Sequence, residues 1–371
     1  MRVALSAPGK LVLLGEYAVL HGAPAVVMAV DRRARVELAP SADRQWSVTA
    51  PPLARDTLPF SLAADGSVRW HGAPDAAPGR LELVERLLGS MAAAGLIDPA
   101  AALPAAVTLD TRALFEDGAG GGAKLGLGSS AAATVALASA LACWVGREDL
   151  LADPRRWLAA LLALHRGLQG GRGSGVDLAA SLLGGLVSYR LGENATVAAA
   201  DRLAMPEGLH LAVLWTGRTA DTGSMLREVD RRLAAGDSAT AAALGALADL
   251  ARAGDEALRS GRTAAVLATV DAFCDAMFEL GRAAGLPVLS AEHDALHRLA
   301  RRHGASYKPS GAGGGDLGIA FAAEAEAVEA TAAAAAAAGF RRVAVQLDPH
   351  GLTWGSPPGP DEDPSGLVPH E

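Results

Sequence analysis

Residues 129–145 carry no charged side chain and are apolar almost all round. A helix of that kind has no face to offer water, so the fold has to bury it on every side. Directly ahead of it, Lys124-Leu125-Gly126-Leu127-Gly128-Ser129-Ser130-Ala131 joins two glycines to a run of small residues, a backbone turn opening into a helix start. The first turn of a helix has unpaired N–H groups and the positive end of the helix dipole. A glycine loop leading into it is a natural seat for phosphate. Ser129 or Ser130 can cap that helix through a side-chain oxygen, or help hold Mg²⁺ beside the phosphates. An ordinary capped helix is the plain alternative.

A chain of 371 residues is too long for one typical core, which points to two domains. Half the residues are apolar and a fifth charged, as in a globular protein with ample material to bury. The net charge is −8, and no basic stretch is long enough to track a nucleic-acid backbone. Cys143 and Cys274 are far apart and form no metal or redox motif, which fits reduced thiols in a cytoplasmic protein. Pro8-Gly9-Lys10 interrupts any N-terminal signal segment, and no uncharged apolar span of about 20 residues predicts a membrane helix.

The pattern predicts short strands over 3–5 and 10–14, separated by a break at Ser6-Ala7-Pro8-Gly9, and further strands over 25–30 and 33–38. Residues 51–78 are rich in Pro, Gly and Asp and read as loops, with a hairpin around 68–70. Helices are expected over 81–94, 129–145, 154–168, much of 225–280, 289–303 and 322–338, and a last strand over 342–347. Strands and helices mix without strict alternation, which favours an α+β fold. The expected division is 1–195, 196–352 and a disordered tail over 353–371.

A second glycine cluster, Gly311-Ala312-Gly313-Gly314-Gly315-Asp316, lets a backbone come very close to another group. Lys10 interrupts an apolar strand pattern, and Asp177 heads a short helix after Gly173-Ser174-Gly175. A carboxylate there can orient or deprotonate an attacking oxygen while a lysine lowers that oxygen's pKa.

Taken together, Pro8-Gly9-Lys10 with Gly15-Glu16-Tyr17-Ala18-Val19, then Gly126-Leu127-Gly128-Ser129-Ser130-Ala131, then Lys308-Pro309-Ser310-Gly311-Ala312-Gly313-Gly314-Gly315-Asp316 resemble the three ordered motifs of the GHMP kinases. The P-loop and protein-kinase signatures are absent. The resemblance implies an N-terminal domain of the ribosomal protein S5-like type, a ferredoxin-like C-terminal domain and an active site between them. It implies ATP phosphates on Gly126, Leu127, Gly128, Ser129, Ser130 and Ala131 with Lys124 beside them, and Mg²⁺ near Ser129 or Ser130. Tyr17, Ser174, Arg218 and the loop Ser310-Gly311-Ala312-Gly313-Gly314 would face the acceptor. Asp177 would be the acceptor's acid/base partner and Lys10 its electrostatic helper.

Within that family, Gly15-Glu16-Tyr17-Ala18-Val19, Gly173-Ser174-Gly175-Val176-Asp177, Trp215-Thr216-Gly217-Arg218-Thr219-Ala220 and Asp316-Leu317-Gly318 are most similar to the phosphomevalonate kinases. Leu317 stands where those commonly have cysteine, and Val19-Leu20-His21-Gly22 leans towards the mevalonate kinase pattern. The implied reaction is ATP-dependent phosphorylation of (R)-5-phosphomevalonate. The alternatives are phosphorylation of mevalonate, another small-molecule GHMP kinase activity, or a non-catalytic nucleotide sensor. An acceptor already bearing a phosphate needs extra cations, for which Lys124, Arg218 and Arg172 are the candidates. The expected partners are ATP and a small-molecule substrate, with neither nucleic acid nor membrane, in a monomer or homodimer.

Overall fold

The computed structural model describes residues 2–71, 81–116, 123–168, 171 and 173–355. Its larger sheet is built on β1 (Val3–Leu14) and β2 (Pro24–Pro40), antiparallel along nearly their whole length. β3 (Trp46–Ala50), β4 (Ala54–Leu62) and β5 (Val68–Trp70) follow as a meander, and β6 (Ala105–Asp110) lies between β2 and β3. α1 (Glu82–Ala93), α2 (Ser129–Trp144), α3 (Pro154–Leu168) and α4 (Val176–Leu183) come from this part of the chain. β7 (Leu186–Leu191) pairs with β2, and β8 (Val197–Leu203) with β7. β8 therefore still belongs to the first sheet although it lies beyond the expected division at 195.

The second half runs β9 (His210–Trp215), α5 (Thr222–Ala234), α6 (Ser238–Arg259), α7 (Thr263–Ala284), α8 (Ala291–Arg302), β10 (Ser306–Ser310), β11 (Leu317–Ala322), α9 (Ala325–Ala337) and β12 (Arg341–Arg342). The smaller antiparallel sheet has the order β10-β11-β9-β12. The chain then returns to the first sheet, where β13 (Thr353–Trp354) pairs with β1. Of the expected tail, 353–355 are therefore placed, and 356–371 lie outside the described residues. The strand expected over 342–347 is reduced to Arg341–Arg342, followed by an isolated bridge from Leu347 to Val30.

Strand alternation explains how the two halves share β1 and β2. Ala25, Val27 and Ala29 point into a core with α2 and α4, whereas Val26, Met28 and Val30 point into a second core with α6 and α7. Every residue of α2 from Ala131 to Cys143 is buried. The helix lies on β1 and β2 and is flanked by α1, α3 and α4, which accounts for its missing polar face.

Two corrections concern proline. β1 is continuous, because a register shift between Pro8 and Gly9 absorbs the residue that cannot donate to the ladder. β4 occupies a stretch expected to be loop. Phe60 there is buried between Trp46 at 5.8 Å and Trp70 at 5.3 Å, and this aromatic contact across three strands outweighs the local breakers.

Buried Arg33 sews the returning C-terminal segment to β1. It donates to Asp348 Oδ2 at 2.5 Å, Gly351 O at 2.6 Å, Thr353 Oγ1 at 2.9 Å and Ser6 O at 2.9 Å. Among the described residues no helix is long and apolar enough to cross a membrane.

Candidate active site

A cavity of about 660 Å³ opens where the two halves meet. Lys10, Glu16, Lys124, Gly126, Ser129 and Asp177 line it from the first half, and Ser310, Gly311 and Asp316 from the second. A neighbouring cavity of about 460 Å³ lies beside Leu81, Leu109 and Phe115. Lys124, Ser129 and Ser130 line both, so the start of α2 forms the wall between them.

That wall presents the uncapped start of a helix. Gly128 is the N-cap of α2, in the left-handed region at φ 75°, and no side chain caps the helix. Ser129 and Ser130 are thus the first two helical residues rather than caps, a correction to the sequence reading. Both residues line the cavities, the Ser130 hydroxyl lying 3.5 Å from His165 Nε2, and among the described residues no side chain caps the first turn. A Cβ on Gly128 would sit 2.8 Å from Lys10 Cγ, so only glycine lets the lysine lie along the loop. Lys10 Nζ donates to Gly126 O at 3.0 Å, and its backbone N–H donates to Leu127 O at 2.8 Å.

Three carboxylates surround Lys10. Burial pushes its ammonium below the ordinary lysine value, while Asp177, Asp316 and Glu16 pull it back up. Asp177 is the second residue of α4, whose N-cap is again a left-handed glycine, Gly175, without a side-chain cap. Asp316 marks the third motif in sequence, but its place was not foreseen. It lies against the phosphate loop, where a Cβ on Gly126 would come within 2.8 Å of the Asp316 Cβ. Burial raises its carboxyl above the ordinary value, partly offset by the Ala220 amide and by Lys10 and Lys124.

Glu16 and Lys308 were also missed as site residues. They form an ion pair with the lysine fully buried, and Lys308 Nζ also donates to Pro309 O at 2.6 Å. The same Glu16 oxygen accepts from Gly311 N–H at 3.2 Å. Tyr17, held at φ 60°, donates from its hydroxyl to Ala312 O at 2.6 Å. The Ser310 hydroxyl is engaged with the backbone N–H and carbonyl of Val12, each at 3.1 Å. Tyr17 and Ser310 therefore pin the second glycine loop to the first half of the chain while also lining the cavity.

Ser174 lines the cavity, and its carbonyl accepts from the Tyr189 hydroxyl at 2.5 Å. Other expected residues do not point in. The exposed Arg218 side chain pairs with Glu292 at 3.3 Å and stands outside the lining, although its neighbours Thr219 and Ala220 belong to it. Gly313 and Gly314 turn towards Val288 and Met225, and Leu127 and Ala131 are buried behind the loop. Arg172 lies outside the described residues, as do 117–122 ahead of the phosphate loop.

Behind the second loop, the buried His293 imidazole lies 2.9 Å from Gly315 O, and burial holds its pKa down from 6.5 to about 4. A histidine kept neutral in the fold protonates first in the unfolded chain. Stability should therefore fall as pH drops from 6.5 towards 4, by roughly 3 kcal/mol at the lower end. Urea unfolding between pH 7 and 4.5 should show a steeper loss for the native chain than for His293→Gln. Equal slopes would place the effect elsewhere.

No protein-family model matches the chain. The phosphomevalonate kinase of Streptomyces sp. (strain CL190) is 32% identical over 342 residues, spanning 85% of this chain and 88% of that protein. A mevalonate kinase of Aeropyrum pernix is 30% identical over 189 residues, 51% of each chain. In fold, the chain matches Streptococcus pneumoniae phosphomevalonate kinase, solved in complex with phosphomevalonate and AMPPNP. The TM-score is 0.71 at 20% identity, covering 93% of this chain and 99% of that one.

Proposed function

The chain belongs to the GHMP kinase superfamily, and on that premise we propose that it transfers a phosphoryl group from ATP to the phosphate of (R)-5-phosphomevalonate. The observation that carries the reading is the uncapped start of α2, with Lys124, Ser129 and Ser130 between two cavities. One cavity, with Leu81, Leu109 and Phe115 in its wall, suits a nucleotide base. The other is lined by Lys10 and Lys124 together with Glu16, Asp177 and Asp316, so an anionic acceptor there would rest on the two lysines and the uncapped start of α2. The similarity to a phosphomevalonate kinase over 88% of its length supports the choice of acceptor.

The attacking atom is then a phosphate oxygen already ionised at neutral pH, so little proton abstraction is required. Positioning and charge neutralisation carry the rate. The first-turn N–H groups of α2 and Lys10 face the charge that develops during transfer. Lys124 holds phosphate at the boundary between the cavities, and Asp177 orients Lys10 and the acceptor. Among the described residues no three His, Cys, Asp or Glu side chains cluster as a metal cage. Mg²⁺ keeps phosphate and water ligands and takes only one or two from protein, and Ser129 at the start of α2 lines the cavity. Ser129 or Ser130 would hold it, and it would neutralise charge on the ATP phosphates. The same reading places the protein in the cytoplasm, consistent with its buried free cysteines, Cys143 and Cys274.

A coupled ADP-release assay with ATP·Mg²⁺, offering 5-phosphomevalonate and mevalonate separately, tests this. Turnover with 5-phosphomevalonate is expected. Turnover with mevalonate alone would overturn the acceptor and make Asp177 a true base. Nucleotide binding with neither acceptor used would favour a sensor. In the same assay, Lys124→Ala should raise KM for 5-phosphomevalonate or ATP about tenfold or more, as loss of a charge-assisted phosphate contact implies. An unchanged KM for both would remove Lys124 from the site.

A further inference from the structure

The loop over residues 311–315 has to keep one shape, yet its glycines supply no side chains to hold it. Glu16 and Tyr17 hold its first half through Gly311 N–H and Ala312 O. At the far end, His293 Nε2 lies 2.9 Å from Gly315 O. A carbonyl only accepts, so Nε2 carries the proton. Nδ1 is then bare and accepts from the Tyr307 hydroxyl, 2.8 Å away. Both residues are fully buried. His293 stands in the first turn of α8, where the cap Ser290 Oγ accepts its backbone N–H at 3.3 Å. The Tyr307 hydroxyl reaches its place because residue 318 is glycine: a Cβ there would lie 1.9 Å from it.

We propose that His293, its tautomer set by the Gly315 carbonyl and matched by the Tyr307 hydroxyl, is a positioning residue for phosphoryl transfer, fixing that carbonyl and thereby the turn that sets Asp316 against the phosphate loop. The turn needs such a hold. Asp316 sits at φ 56°, a left-handed conformation that costs a non-glycine residue free energy. Its neighbours complete the clamp, with Asp316 N–H donating to Arg218 O at 2.7 Å and Ala220 N–H to Asp316 Oδ1 at 3.2 Å. The inference rests on the phosphoryl-transfer reading above.

The test uses two near-isosteric changes in the full chain, each combined with Tyr307→Phe so that no buried hydroxyl is left unpaired. Glutamine can place an amide N–H where Nε2 stood, whereas asparagine cannot reach it. Amide hydrogen exchange of the 311–316 peptide and steady-state kinetics with ATP·Mg²⁺ and 5-phosphomevalonate are read together. His293→Asn should speed exchange of that peptide and lower kcat about tenfold, the scale of one lost hydrogen bond, with KM nearly unchanged. His293→Gln should restore both towards the native values. Identical exchange and kcat in the two variants would overturn the proposal, as would a kcat loss that merely follows the folded fraction. Should the native chain fail to turn over 5-phosphomevalonate, the functional reading falls, and the exchange contrast still decides the positioning.

Discussion

Lys10→Met should lower kcat by about 10²–10⁴-fold while the chain stays folded, the scale expected for a group that stabilises charge or moves a proton in the transition state. Lys10 meets the phosphate loop directly at Gly126 O and lines the cavity from the centre of β1. Burial lowers the ammonium's pKa below the ordinary value, and Asp177, Asp316 and Glu16 oppose that shift. Arginine should not rescue it. The compact ammonium donates to Gly126 O at 3.0 Å, a place that a larger planar guanidinium does not reproduce. The charged form is the active one, so kcat should fall as pH rises through a pKa that burial places below the ordinary 10.5. That alkaline limb should vanish in Lys10→Met. Turnover equal to the native enzyme would remove Lys10 from the mechanism. Asp177→Asn separates the two acceptors: a modest loss fits an ionised phosphate oxygen, and a loss as deep as that of Lys10→Met fits a hydroxyl needing a base.

The second large effect concerns the pair that joins the halves of the chain. Lys308→Met should destabilise the protein by about 3–5 kcal/mol, because it leaves the Glu16 carboxylate buried without its cation. Glu16 is 5% exposed, and among the described residues its Oε2 has no hydrogen-bond partner, so the orphaned charge has little to turn to. The double variant Glu16→Gln/Lys308→Met should recover much of the loss, since the penalty comes from the unpaired charge more than from the absent contact. Denaturant midpoints for the two single variants and the double variant check this. A single Lys308→Met costing under about 1 kcal/mol would show that water reaches the pair. Because Glu16 also holds Gly311 N–H, the single variant should lose activity before it unfolds.

Much of the site was legible because it is local. The apolar run of α2 and the glycines that turn into it follow from residues adjacent in the chain, whereas Lys10 and Asp177 stand out only through the joint pattern of the ordered motifs. Backbone preferences and side-chain periodicity are written at that range. The ordered motifs also carried the family, which the Streptomyces relative shows. The β4 reading failed for the same reason in reverse. Local breakers in 51–78 point to loop, and the packing of Phe60 between tryptophans on the two neighbouring strands favours a strand there. Ser310 illustrates the limit at the site itself. Its type and place in a motif suggest a ligand contact, yet its hydroxyl is bound to Val12, 298 positions away.

The sequence by itself determined which segments must be helix, strand or glycine turn, and which small set of residues carries charge in otherwise apolar or glycine-rich surroundings. Tertiary structure alone decided their partners. It paired Glu16 with Lys308, turned Arg218 outward to Glu292, set Asp316 on Gly126 and put His293 under Gly315. The physical reason is that periodicity specifies a face, whereas a hydrogen bond or ion pair requires a partner brought to within about 3 Å. Over such separations, that partner is selected only when two sheets and their helices close on one another.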